Sequence, residues 1–139
     1  PNLNNGQSYL TSYDKPHELK AVTTTRIWNI DISANWVISS GGLYTELDNM
    51  YVEPGTGYNI IINQNQNQRR LPPIHHLDIS ISKTWEISPL VLNISFSIYN
   101  IYNKDNYSHK RYNPYTSQLS ASNVSMLGIT PSVNLKISF

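Results

Sequence analysis

Apolar and polar residues alternate one by one along several stretches of this chain. In the last stretch, the odd positions from Leu127 to Phe139 are mostly apolar and the even positions are mostly polar. Successive side chains of a β-strand point to opposite faces, so this period of two predicts a strand with one apolar face. The same pattern recurs upstream, and the stretches together predict five strands, at about residues 17–27, 30–40, 76–85, 90–102 and 126–139.

The connections between these strands alternate between short and long. Trp28–Asn29 joins the first two strands and Glu86–Pro89 joins the third and fourth, whereas residues 41–75 and 103–125 form long loops. In an antiparallel meander this order gathers the short turns at one end of the sheet and the long loops at the other. Outer-membrane β-barrels sort their connections in this way, with short periplasmic turns and long extracellular loops.

The alternation also assigns each strand residue to one of two faces. We interpret the chain as an all-β, antiparallel segment of a transmembrane β-barrel, whose apolar face contacts lipid and whose polar face lines the lumen. The residues predicted to face lipid are Leu77, Ile79, Ile81, Leu92, Ile94, Phe96, Ile98, Val133, Leu135 and Ile137. Those predicted to face the lumen are Asp78, Ser80, Ser82, Asn93, Ser95, Ser97, Asn134 and Lys136.

Aromatic residues fall at both ends of the predicted strands. Trp28 and Trp85 lie near the two short turns and Phe139 ends the last strand, so these three belong at one end of the sheet. Tyr residues cluster towards the other end, at positions 99, 102, 107, 112 and 115. Because aromatic side chains are enriched at membrane–water interfaces, Trp28, Trp85 and Phe139 are predicted to be interface aromatics.

The composition excludes several other classes of protein. The 139 residues carry a net charge of +1, and 14% of them are charged, which gives no electrostatic basis for binding nucleic acid. The chain has no Cys, which excludes disulfide frameworks and thiolate zinc sites. No apolar run approaches the ~18 residues that a transmembrane helix needs, whereas a transmembrane strand needs only ~9–11 alternating residues.

Five strands alone would form an open sheet, which is unstable in lipid. Each edge would leave backbone N–H and C=O groups unpaired, at several kcal/mol per group. Other strands must therefore close the barrel. Either a longer parent chain supplies them, or the long loops add three strands and complete a small barrel of about eight strands. The sorting of the loops favours the parent chain, and a soluble β-sandwich binding module is a third hypothesis.

Four segments match motifs of one protein family in the same order along the chain. They are Tyr13–His17, Arg70–Ser80, Ser97–Asn106 and Leu127–Ser132, the last of which runs into the terminal Phe139. In these segments the chain resembles the C-terminal barrel segment of a TonB-dependent outer-membrane receptor of the type common in Bacteroidetes. The resemblance covers nearly the whole of residues 1–139.

The resemblance implies a transporter in the bacterial cell outer membrane. Such receptors have about 22 strands around an N-terminal plug, and this chain would supply about the last five of them. They import a siderophore, oligosaccharide, peptide or cofactor with energy from TonB. The implied partners are the remaining strands and the plug, through which TonB acts, outer-membrane lipid and lipopolysaccharide, the barrel-assembly machinery and a candidate surface lipoprotein, but no nucleic acid.

The last strand carries the barrel-assembly signal that the resemblance implies. Its residues are Val133, Leu135, Ile137 and Phe139. Receptors of this class often have Gly five residues before the terminal aromatic, where this chain has Asn134. Because the alternation that ends in Phe139 remains, we expect the assembly machinery to recognise the strand.

The long loops hold most of the Tyr residues that lie outside the strands. Pro54–Gly55 is a turn signal in the first loop and predicts a hairpin there. Tyr offers a large, rigid surface with a polar tip, which suits contact with sugars, peptides or a partner lipoprotein. The predicted ligand-binding residues are Tyr44, Tyr51, Tyr58, Tyr107, Tyr112 and Tyr115. The alternative is that single Tyr residues only pack the extensions of the strands.

No cluster of residues indicates catalysis or a bound metal. His75 and His76 would point to opposite faces of a strand, which leaves His76 and Asp78 as two ligands where a metal site needs more. Asp31 and Asp78 share the lumen face, but they belong near opposite ends of neighbouring strands, too far apart for a paired-carboxylate mechanism. The chain also has no G-x-S-x-G nucleophile elbow. We therefore expect no enzymatic activity, no protein-bound metal and no cofactor.

Overall fold

The structure is a computed structural model that describes residues 8–47, 49–56, 59–62, 66–113 and 120–139. In these ranges the chain is all-β, with antiparallel strand pairs. The strands are β1 (Glu18–Ile27), β2 (Ile30–Ser39), β3 (Leu43–Tyr44), β4 (Asn49–Val52), β5 (Asn59–Ile62), β6 (Arg69–Arg70), β7 (Ile74–Ile87), β8 (Leu90–Tyr99), β9 (Tyr107–Asn113), β10 (Ser120–Ser125) and β11 (Thr130–Ser138). Within the same ranges, no helix is long and apolar enough to cross a membrane.

Five strands form one sheet, in the order β1-β2-β7-β8-β11, and they are the five that the alternation predicts. Their bounds differ from the prediction mainly at the loop end. β8 ends at Tyr99 because Asn100 has a positive φ of 51° and leaves the strand. β11 begins only at Thr130, because the backbone N–H of Ile129 bonds to the side chain of Asn103 and not to a neighbouring strand.

Both short connections are two-residue turns. Trp28 and Asn29 have φ values of 48° and 63°. Two consecutive positive φ values are the mark of the type I′ turn, whose twist matches that of the flanking strands. The second turn is Ser88–Pro89, with a cis peptide bond. This turn is shorter than predicted, because β7 and β8 stay paired as far as Ile87 and Leu90.

The strand registers keep the two predicted sets of residues on separate faces of the sheet. Residues that pair across strands share a face, and one row across four strands reads Ile32, Ile81, Phe96 and Val133. The adjacent row, on the opposite face, reads Ser33, Ser80, Ser97 and Ser132. Hydroxyl groups in this row are hydrogen-bonded in pairs, at 2.6 and 2.7 Å. A slip of one residue in any strand would have mixed the two sets.

The apolar face of this sheet is open. Large side chains on it are exposed, at 44% for Ile81, 42% for Phe96 and 72% for Val133. In the described part of the chain, the buried hydrophobic side chains are Leu71 and Ile74, and neither of them belongs to this face. The sheet is therefore held by its backbone ladder and its cross-strand pairs, and not by an interior core.

The long connections are partly ordered. β4 and β5 form the hairpin that the Pro54–Gly55 signal predicts, and β3 pairs with β6. β9 and β10 form a third two-stranded sheet, which the sequence pattern did not predict. The three small sheets are separate from the five-stranded sheet. The prediction of loops over 41–75 and 103–125 is corrected to this extent. β3 and β6 are only two residues long, and β9 and β10 have polar residues on both faces, so neither pair shows a clear alternation.

Residue contacts divide the chain into two compact units. The sheet unit holds the five-stranded sheet and comprises Glu18–Ser39, Ile74–Asn106 and Leu127–Phe139. The loop unit comprises Pro1–His17, Ser40–Pro73 and Tyr107–Met126. Within the loop unit the backbones at Gly41 and Leu71 approach so closely that a Cβ atom on Gly41 would overlap the carbonyl oxygen of Leu71. Only Gly fits at this position.

Candidate functional site

The polar face of the sheet unit forms a concave space of about 400 Å³ near the β1–β2 turn. Arg26 and Asp31 are cross-strand partners there, and their guanidinium and carboxylate make two hydrogen bonds, Nε to Oδ1 at 2.6 Å and Nη2 to Oδ2 at 2.9 Å. The rest of the lining consists of Ile32 and of hydroxyl-bearing residues, namely Thr24, Thr25, Ser33, Ser80 and Ser82. Because the Arg26–Asp31 pair and the hydroxyl groups supply donors and acceptors, the space suits water or a polar segment of protein.

Asp78 is the centre of a hydrogen-bond network at the loop end of the same face. Its Oδ1 accepts the backbone N–H of Asn100 at 3.0 Å and lies 2.8 Å from His76 Nδ1. Its Oδ2 accepts a hydrogen bond from Asn35 Nδ2 at 3.1 Å. His76 also packs against the ring of Tyr99, with 4.8 Å between the ring centroids. The carboxylate thus ties the end of β8 to both β7 and β2.

The structure brings His76 and Asp78 together but keeps Asp31 and Asp78 apart. The β2–β7 register places Asp31 and Asp78 four positions apart, or about 13 Å at ~3.3 Å per residue. His75 lies on the apolar face, opposite to His76, with its ring edge-on to Tyr102 at 5.3 Å. Among the described residues there is no group of three or more His, Cys, Asp or Glu side chains that could hold a metal ion.

Three Asn residues follow the end of β8 at a spacing of three, Asn100, Asn103 and Asn106, and we refer to them as the Asn triad. Asn100 is fully buried and has a positive φ, which Asn adopts more readily than most residues. Its side chain accepts the backbone N–H of Lys104 at 3.2 Å and donates to the carbonyls of Lys104 and Leu127. One amide group therefore holds the turn after β8 and the entry to β11 together.

The other two members of the Asn triad have similar roles. The buried side chain of Asn106 accepts the N–H of His75 at 2.9 Å and donates to the carbonyl of His75 at 3.1 Å. Asn103 accepts the N–H of Ile129 at 2.9 Å. These amides take the place of a neighbouring strand where the ladder ends. In the sequence, the triad lies at the end of the predicted strand 90–102 and just beyond it, within the Ser97–Asn106 segment that carries the family resemblance.

Two of the predicted ligand-binding Tyr residues meet in the loop unit. Lys110 Nζ lies 4.2 Å from the centroid of the Tyr44 ring, a cation–π geometry. Tyr112 Oη donates a hydrogen bond to the carbonyl of Thr45 at 2.6 Å. Burial raises the pKa of Tyr112 above its ordinary value, the nearby Tyr44 and Glu46 raise it further, and Lys110 partly offsets this. We call Tyr44, Lys110 and Tyr112 the Tyr cluster.

The other predicted ligand-binding residues are not part of the Tyr cluster. Tyr107 is half-buried at the start of β9, where it pairs with Ser125. Tyr51 is exposed on β4. Tyr58 and Tyr115 lie outside the described residues. The structure thus brings together two of the six predicted residues.

The basic pair Arg69–Arg70 is engaged within the loop unit. Arg69 Nε bonds to a carboxylate oxygen of Glu46 at 2.7 Å, and Arg70 Nη2 bonds to Asp14 at 2.8 Å. Arg70 Nη1 also donates to the carbonyls of Asp14 and Gly41, each at 2.7 Å. Arg70 therefore anchors the backbone at Gly41 and is not a freely solvated charge.

The predicted interface aromatics are exposed near the short-turn end. Trp28 and Phe139 are almost fully exposed, and Trp85 is exposed to a lesser degree. Lys83 Nζ lies 5.2 Å from the centroid of the Trp85 ring, on the apolar face of the sheet. These side chains give the apolar face an aromatic margin where the strands turn.

Polar side chains with a defined geometry in the described chain include the concave space beside Arg26 and Asp31, the network around Asp78, the Asn triad and the Tyr cluster. Comparison with protein families, with curated proteins and with solved structures gives no match for this chain. Its function is therefore inferred from the sheet, from the two faces of that sheet and from the connections between its strands.

Proposed function

We propose that the chain is the C-terminal part of the β-barrel of a TonB-dependent transporter in the bacterial outer membrane, and that the transporter imports a nutrient. The observation that carries the proposal is the five-stranded antiparallel sheet with one polar face and one exposed apolar face. Transmembrane β-strands have this alternation, apolar towards lipid and polar towards the lumen.

The exposure of the apolar face supports a lipid environment. Val133 and Leu135 in β11 are 72% and 60% exposed, and their neighbours across the sheet, Phe96 and Ile94, are exposed as well. A contiguous exposed apolar surface marks a membrane or protein contact, whereas scattered exposed apolar residues do not. A soluble β-sandwich would instead bury these side chains against a second sheet. Such a sandwich would also purify without detergent, which separates the two hypotheses.

The sheet edges support closure by further strands of the same protein. In the described chain, β1 and β11 each have a single neighbour in this sheet. Backbone groups on a free edge in lipid would be unsatisfied at several kcal/mol each. The short strands of the long connections pair among themselves, so they do not favour a free-standing barrel of about eight strands. The proposal therefore includes a longer parent barrel of about 22 strands, with the plug against its polar face.

The polar face and the long connections have distinct roles in this proposal. The concave space beside Arg26 and Asp31 receives lumen water or the plug. The connections at the opposite end face the outside of the cell, where exposed Tyr side chains such as Tyr51 contact the ligand or a surface lipoprotein. Tyr112 Oη is already bonded to a backbone carbonyl, so Tyr112 contributes mainly by packing the loop unit.

Cysteine labelling on whole cells tests the topology. Thr56→Cys and Ser122→Cys lie in the two long connections, and Ser88→Cys lies in the β7–β8 turn. We expect a membrane-impermeant maleimide to label the first two variants on intact cells, and to label Ser88→Cys only after the outer membrane is breached. The reverse pattern would contradict the topology. Recovery of the protein in the soluble fraction would contradict the transporter itself.

A further inference from the structure

One charged residue lies on the apolar face of the five-stranded sheet. Following the registers of all five strands, this face carries Lys83 as its single Lys, Arg, Asp or Glu residue within the described chain. The cross-strand partners of Lys83 are Ile30 on β2 and Ile94 on β8. Its neighbours on the same face of β7 are Ile81 and Trp85. Lys83 is thus surrounded by apolar side chains.

The ammonium group of Lys83 has a defined position. Its Nζ lies 5.2 Å from the centroid of the Trp85 ring, so the side chain leans towards the short-turn end of the sheet. Lys83 makes no ion pair within the described chain. The cation–π contact gives the charge a partial partner and leaves its remaining hydrogen-bond capacity for something outside the sheet.

The backbone of Lys83 lies inside the apolar band, four residues or about 13 Å along the strand from the end of β7 at Ile87. Its side chain runs from there towards Trp85, which lies two residues nearer to the turn. Lys on the lipid face costs about 2–4 kcal/mol at the midplane and about 0–1 kcal/mol near the interface. The long stem of Lys lets its charge reach the headgroup level, where Trp side chains also concentrate.

Resting on the proposed function, we propose that Lys83 and Trp85 form a binding site for an anionic phospholipid headgroup in the periplasm-facing leaflet. The ammonium of Lys83 binds the lipid phosphate, and the ring of Trp85 packs beside the headgroup while Ile30 and Ile94 contact the acyl chains. The occupant is a lipid because β7 is the central strand of the five. The strands that complete the barrel add to the edges of the sheet, two strands away, and leave this face of β7 to the bilayer.

Lipid retention by the full-length receptor tests the site. The receptor is purified in detergent, mixed with equal amounts of phosphatidylglycerol and phosphatidylcholine, and examined by native mass spectrometry. The test variant is Lys83→Gln. Lys136→Gln is the matched control, because it removes a Lys from the polar face of β11, and Lys83→Arg keeps the charge. We expect Lys83→Gln to lower the preference for phosphatidylglycerol about fivefold, and the wild type and both other variants to keep it.

The outcomes of this experiment distinguish failure of the lipid site from failure of the transporter proposal. Unchanged preference in a folded Lys83→Gln receptor would overturn the lipid site and leave the transporter proposal intact. Equal loss of both lipids would also overturn it, because the charge would then have no part in the selection. A zero-length cross-link from Lys83 to a carboxylate of another membrane protein would assign the site to that protein. Failure of every variant to insert into vesicles would overturn the transporter proposal and the lipid site together.

Discussion

Placing Arg at the centre of the apolar face tests the membrane assignment most directly. Phe96 lies midway along the paired part of β8, between Ile81 on β7 and Val133 on β11. Its neighbour Ser95 lies on the opposite face, between Ser82 and Asn134. Phe96→Arg and Ser95→Arg therefore introduce the same charge at nearly the same height on opposite faces of the sheet.

The expected magnitudes follow from exposure. Phe96 is 42% exposed, which is about 85 Å² of a ring side chain of roughly 200 Å². Removing that surface from lipid costs about 2 kcal/mol at ~25 cal/mol per Å², so Phe96→Ala should lose this amount. Phe96→Arg should lose a further 2–4 kcal/mol or so, because a charge at the midplane is poorly solvated. Ser95→Arg should change the free energy of unfolding by less than about 1 kcal/mol, since its charge meets lumen water.

The measurement is equilibrium unfolding of the full-length protein in phospholipid vesicles, followed by Trp fluorescence, with the folded fraction checked as the heat-modifiable band on a gel. Phe96→Ala separates the loss of the ring from the effect of the charge. If Phe96→Arg were no less stable than Phe96→Ala, the apolar face would be in water and the reasoning would be refuted. If Ser95→Arg cost as much as Phe96→Arg, the two faces would not differ in their environment.

Two further substitutions test single contacts in the same unfolding assay, and a third is tested by a pH titration. Gly41→Ala should destabilise the protein by about 3 kcal/mol, because its Cβ would overlap a backbone carbonyl. Gly42→Ala is the control and should be tolerated, because the nearest atom to its Cβ would be 3.4 Å away. Equal stability of the two variants would contradict the close approach at Gly41. Asp78→Ala should cost about 2–3 kcal/mol, since it leaves the N–H of the buried Asn100 without its acceptor, and a loss below about 0.5 kcal/mol would show that another group replaces the carboxylate. The pKa of Tyr112 is raised in the folded state, so just above its ordinary pKa of about 10 Tyr112 is protonated in the folded state and ionised in the unfolded state. Its contribution to stability is therefore fully present below about pH 10 and is lost as the pH rises through the raised pKa. Absorbance titration at alkaline pH should therefore show that a Tyr ionisation above the ordinary pKa is lost in Tyr112→Phe, and an unchanged titration would refute the assignment.

The sheet was predictable from the sequence because the alternation that specifies each strand is a local pattern. In β8 and β11 almost every second residue is apolar, and a period of two fixes both the strand and its faces. The β9–β10 hairpin was not predictable in this way, because Tyr107–Asn113 has polar residues on both faces. The end of β8 was also misplaced, since the positive φ of Asn100 depends on hydrogen bonds that the alternation does not encode.

The candidate site was less predictable than the sheet, because its contacts join residues that are far apart in the sequence. Tyr112 bonds to the backbone of Thr45, which is 67 residues away along the chain, and no local pattern specifies that pairing. Arg26 and Asp31 are different, because they flank a two-residue turn and become cross-strand partners through the hairpin register alone. Composition could name Tyr as a binding residue, but it could not say which Tyr side chains were already engaged inside the chain.

The Asn triad makes the junction between β8 and β11 independent of the segment that lies between them in the sequence. Asn100 and Asn103 bind Leu127 and Ile129, so the chain leaves β8 and returns to β11 through a junction that its own amides close. Nothing in that junction requires a given length or sequence between Asn106 and Leu127. The arrangement makes the intervening segment exchangeable: a different loop inserted between these two residues would inherit the same anchoring. In the proposed transporter, ligand preference can then diversify, or be engineered by grafting, without redesign of the strands.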